Sequence, residues 1–151
     1  MIQEDTAQSC HDEHRALQHI KEALSVTLSW RTPQTGLSRK LSGVVFIIRA
    51  LQRHLEHQLA LEERGGYVES ISQANPSLTE EAQQLLSDHD VFRESLRDLV
   101  PEIEGLDPQD ETRFNSLCDE VARLIRRMEE HDLREGELLQ ELYLRDEGGE
   151  G

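Results

Sequence analysis

The chain has 151 residues, with 16 Lys and Arg against 31 Asp and Glu, for a formal net charge of −15. That length fits one domain able to bury roughly 70% of its unfolded surface, and the acidity argues against nucleic-acid or anionic-membrane partners. No apolar run approaches the ~18 residues of a membrane span, and no basic-then-apolar leader is visible. Cys10 and Cys118 form no paired motif, so two free thiols in a reducing cytoplasm are expected.

Turn-forming residues divide the sequence into four helices, near 4–30, 38–73, 78–104 and 110–146. The first places His14, Leu17, Ile20, Leu24 and Leu28 at steps of three or four and ends in Arg31-Thr32-Pro33-Gln34-Thr35-Gly36. The second starts near Ser38 and repeats Leu41, Val44, Ile48, Leu51, Leu55, Gln58 and Glu62. Gly65-Gly66 interrupts it at a cost of about 1 kcal/mol per glycine relative to Ala. The helix either kinks there or breaks, leaving 67–73 as a short separate helix. Asn75-Pro76-Ser77 then turns the chain, and Thr79-Glu80-Glu81 gives the third helix an acidic first turn.

The third helix carries Leu78, Ala82, Leu85, His89, Phe92, Leu96 and Leu99. Gly105-Leu106-Asp107-Pro108 closes it, and Gln109 or Asp110 opens the fourth. There Phe114, Leu117, Val121, Leu124, Met128, His131, Glu135, Leu138 and Leu142 follow without a break. Residues 148–151 read as a frayed tail, leaving 1–147 as the domain. The pairs Arg126-Arg127 and Arg39-Lys40 read as solvated charges partnered by the abundant Glu.

Steps of three and four mark the buried face of a bundled helix. Three short connections make neighbours antiparallel, so the expected fold is an all-α, up-down-up-down four-helix bundle. Each stripe is interrupted by residue types that bind metals. Burying an unpaired charge costs several kcal/mol, so such groups are normally paired or bound to a metal. At 1.5 Å rise per residue, His14, Gln58, Glu62, His89, His131 and Glu135 all fall roughly 15–22 Å from the same end of the bundle. His131 and Glu135, at i and i+4, share one face. Imidazole with carboxylate suits iron, manganese or zinc.

With these residues in hand, the chain resembles the hemerythrin-like, HHE cation-binding family. That family has a His on helix 1, His-x-x-x-Glu on helix 2, a His on helix 3 and His-x-x-x-Glu on helix 4. "DEHRAL" supplies His14, "HLEHQLALEERGGY" covers helix 2 through Glu62, "SDHDVF" supplies His89, and "EEHDLREGELLQELY" supplies His131 and Glu135. One departure stands out: aligning Glu62 with the helix 2 carboxylate puts Gln58 where the His belongs. His54, one turn earlier, is the alternative ligand. His57 lies off to the side and reads as surface or as a neighbour of the site, and His11 and His19 read as surface.

The resemblance implies a non-haem di-iron centre, with a single iron as the alternative, held by His14, Glu62, His89, His131 and Glu135 with His54 or Gln58 completing the set. It implies binding or sensing of dioxygen, nitric oxide or iron in the cytoplasm. Two other readings stay open. One is a di-iron oxidase or peroxidase. The other is a metal-free helical interaction module whose site has decayed at Gln58.

Overall fold

The computed structural model describes residues 2–30 and 36–148, and the side chains of these except 2–10, Tyr67, Tyr143 and 145–148. The side chain of Cys10, most of the first predicted turn (31–35) and 149–151 of the predicted tail therefore lie outside the described residues. Along the chain come α1 (Ile2–Ser29), α2 (Leu37–Arg64), α3 (Tyr67–Ala74), a 3-10 turn (Pro76–Leu78), α4 (Thr79–Glu104) and α5 (Glu111–Gly148). α1 packs on α2, α2 on α4, α4 on α5 and α5 back on α1, which closes an antiparallel four-helix ring. The short α3 lies against α4 and the end of α2.

Local chemistry accounts for the boundaries. Gly66 adopts the left-handed conformation, φ 64° and ψ 40°, so the second predicted helix breaks rather than kinks, and α3 departs from that point. A side chain would be strained there, which is why the break falls on a glycine. Asn75 accepts a hydrogen bond from the Ser77 amide and Pro76 opens the 3-10 turn, while Glu80 and Glu81 supply the acidic first turn of α4. Asp110 caps α5 by accepting from the Arg113 amide at 3.1 Å. α5 runs to Gly148, one residue into the predicted tail. The expectation that Lys40 is solvated and paired with Glu is overturned. Lys40 is buried, donates to the Leu28 carbonyl at 3.1 Å and lies 5.7 Å from the Phe114 ring centre. An ammonium at the C-terminus of α1 answers both the free carbonyls and the negative end of the helix dipole.

The core is split in two. One apolar cluster includes Leu17, Leu24, Val44, Ile48, Leu51, Leu55, Phe92, Leu96, Phe114, Val121 and Met128. A smaller one holds Ile71, Leu78, Ala82, Leu85 and Leu138, with Val68 and Leu142 packed on it. Along α4 the change of cluster falls between Leu85 and Phe92, where His89 sits. Along α5 it falls between Met128 and Leu138, where His131 and Glu135 sit. A polar layer therefore crosses the bundle between two apolar plugs, and α3 contributes the plug at one end.

Candidate metal centre

Two buried imidazoles form the middle of this layer. His89 on α4 is 2% exposed and His131 on α5 is 4% exposed, and their rings meet edge to face with centres 5.3 Å apart. Phe92 packs edge-on against His131, also at 5.3 Å. Each ring has a carboxylate at both nitrogens. The His131 Nδ1 contacts Asp88 at 3.0 Å and its Nε2 contacts Glu135 at 3.4 Å. The His89 Nδ1 contacts Glu63 at 3.4 Å and its Nε2 contacts Glu62 at 3.3 Å.

The outer carboxylates are themselves anchored by arginines. Arg93 donates to both Glu63 oxygens, at 2.7 and 2.9 Å, and Arg134 donates to Asp88 at 2.7 Å. Arg93 thereby holds the Glu63 carboxyl below the usual carboxylate range, in spite of partial burial. Carboxylates on the Nδ1 side orient the rings so that each Nε2 faces inward, the arrangement that would present Nε2 to a metal ion.

The inner groups respond to each other. Burial pushes the Glu62 carboxyl up, but hydrogen bonds from His89 and Gln58 outweigh it and hold Glu62 below its ordinary value. Burial pushes His131 down, and its hydrogen bonds to Glu135 and Asp88, with their charges, more than reverse this.

α2 contributes Gln58, whose Nε2 donates to Glu62 at 2.8 Å. Its Oε1 is buried and is the one such side-chain atom, among the described residues, without a hydrogen-bond partner. Next to it lies a cavity of about 30 Å³, lined on its polar side by His14, Lys21, Gln58, Glu62, His131 and Asp132 and on its apolar side by Leu17, Leu55, Leu59, Phe92 and Met128. That volume is about one water molecule's share of the liquid. One ligand atom from each of His131, Asp132 and Glu135 lies within 4.8 Å of the others, a group able to hold a metal ion.

The structure thus brings Gln58, Glu62, His89, His131 and Glu135 together, with His14 on the cavity wall although much of its side chain is exposed. His54 is not brought to them. Its Nδ1 donates to Glu13 of α1 at 2.5 Å, and His57 Nδ1 donates to the other oxygen of Glu13 at 3.1 Å. The ring is turned to the α1 edge, so Gln58 occupies the place on α2. His11 and His19 are exposed, as expected, and His57 is exposed beside Glu13.

Sequence reasoning missed Lys21, Glu63, Asp88 and Asp132. Lys21 left a signal, since Leu17, Lys21, Leu24 and Leu28 keep the step of three or four as well as Ile20 does. Asp88 left the same kind of signal, since Leu85, Asp88 and Phe92 also keep the step of three or four, whereas Glu63 neighbours Glu62 off the stripe of its helix. A fitting donor set is therefore present: two imidazoles presenting Nε2, two facing carboxylates and an unpartnered amide oxygen beside a small cavity. The sequence model of the Hemerythrin HHE cation binding domain matches residues 5–143. No curated protein and no solved structure matches the chain.

Proposed function

The chain belongs to the hemerythrin HHE cation-binding family, and from that premise we propose that it holds non-haem iron in the polar layer and binds or senses a small diatomic ligand, dioxygen or nitric oxide, beside it. His89, His131, Glu62 and Glu135 are the principal ligands in this reading, with His14 and Gln58 on the α1–α2 side. Bound there, ferrous iron supplies one-electron chemistry toward such a ligand. The protein's own contribution is placement: Asp88 and Glu63 orient the imidazoles, and Leu17, Leu55, Phe92 and Met128 exclude bulk water.

The observation that carries the reading is the size and lining of the cavity. A space of about 30 Å³ with one apolar wall suits a ligand about the size of a water or diatomic molecule, which supports a small-molecule site and leaves turnover to the experiment below. The buried, unpartnered Gln58 oxygen speaks against a metal-free module, because such a group is costly without a cation or donor. No helix among the described residues is long and apolar enough to cross a membrane, and Cys118 is a free, buried thiol. The free thiol is compatible with a reducing compartment, and a cytoplasmic location belongs to this proposal.

The test is an anaerobic titration of the iron-loaded protein with dioxygen and with nitric oxide, followed optically, alongside an assay of peroxide turnover. Reversible spectral change with slow turnover supports the proposal. Rapid, repeated peroxide consumption selects the enzyme, and no iron uptake after anaerobic loading selects the metal-free module.

A further inference from the structure

Lys21 is 3% exposed, on α1, in the wall of the same cavity as Gln58, His14 and His131. Its ammonium meets Asp132 at 2.9 Å. We propose that this ammonium takes the place of a second metal ion, so that the site holds one cation per chain rather than a pair. The inference rests on the metal-binding reading above and specifies its stoichiometry.

Charge balance makes the case. Five carboxylates surround the two imidazoles: Glu62, Glu63, Asp88, Asp132 and Glu135. Three of them already have a basic partner. Asp132 has Lys21 at 2.9 Å, Asp88 has Arg134 at 2.7 Å and Glu63 has Arg93 at 2.7 Å. Only Glu62 and Glu135 have no Lys or Arg partner among the described residues, and each faces an imidazole Nε2. One divalent ion neutralises those two charges. A second would find no further carboxylate among these five without a basic partner to face it.

Ligand chemistry points the same way. The α1–α2 side, where the family pattern has two histidines, offers an exposed His14 and the neutral amide of Gln58. Lys21 also engages Asp132, which otherwise belongs with His131 and Glu135 in a group spaced to hold an ion. A second cation entering the cavity would meet an ammonium in its wall and find a carboxylate already committed. The remaining space suits a water molecule that donates to the Gln58 Oε1, or the small ligand that displaces it.

The experiment is metal content per chain after anaerobic loading with excess ferrous iron, and separately with manganese(II), followed by gel filtration and elemental mass spectrometry. One ion is expected in the wild type. Two are expected in the Lys21→Met/Gln58→His double variant, which removes the ammonium, frees Asp132 and restores an imidazole. Two ions in the wild type, or one in a double variant that circular dichroism finds folded, overturns this inference and leaves the metal-binding reading standing. No ion in the wild type overturns both.

Electron paramagnetic resonance of the manganese-loaded wild type does not depend on the variant folding. The hyperfine pattern of an isolated ion supports the proposal, and that of an exchange-coupled pair overturns it.

Discussion

Asp88 and Glu63 show how much of the site depends on residues that touch no ligand. Each fixes the Nδ1 side of one buried imidazole and is held in turn by an arginine. Replacing such a partner usually weakens metal binding by about 10–100-fold. Asp88→Asn should fall in that range in a competition titration against a chromophoric chelator, and a change under about twofold would detach Asp88 from the site. His131 gives a pH dependence of known sign. Its neighbours hold its proton above the ordinary imidazole value of 6.5. In the metal-free protein that protonation stabilises the fold at low pH, and the contribution is lost as pH rises through the folded-state value. The bound ion competes for the same nitrogen, so apparent metal affinity should weaken progressively as pH falls, measured by equilibrium dialysis.

The adjacent glycines at the end of α2 do different work. Gly66 is left-handed at φ 64°, and a Cβ there would also approach the Glu69 Oε2 at 3.0 Å. Gly66→Ala should cost on the order of 1–2 kcal/mol in urea denaturation. Gly65 has φ −71°, and a Cβ there meets only ordinary contacts at 3.5 and 3.8 Å. Gly65→Ala should therefore be neutral or stabilising by up to about 1 kcal/mol, through lost freedom in the unfolded chain. Equal losses at the two positions would contradict the turn described here. The turn matters to the site because α3 carries Ile71 and Val68 into the apolar plug beneath the polar layer.

For the molecule as a whole, metal and fold are linked. Glu62 and Glu135 are partly buried with no Lys or Arg partner among the described residues, so an ion that binds the folded chain alone stabilises it by mass action. At a free-metal concentration of about 1,000 times the dissociation constant the gain is roughly 4 kcal/mol. For a chain of this size that raises Tm by on the order of 10 °C. Calorimetry with and without excess chelator should show a shift of that order. A Tm indifferent to chelation would favour the helical module over the metal centre.

The helical stripes and the metal-binding layer were legible in the linear sequence because both follow from local geometry. A period of 3.6 residues selects the buried face, and counting residues from a turn gives the height, so Gln58, Glu62, His89 and His131 could be placed in one layer before any contact was known. Rotation about a helix axis was not legible at that precision. On α1, Ile20 and Lys21 both satisfy the spacing, yet the packed bundle buries the lysine fully and the isoleucine only in part. On α2, His54 stands one turn from Gln58, but Glu13 on the facing helix draws it aside. Periodicity and spacing determined the bundle and the level of its polar layer. Only the packing of α1, α2, α4 and α5 decided which charges meet there, because ion pairs form between neighbours in space that sequence distance does not order.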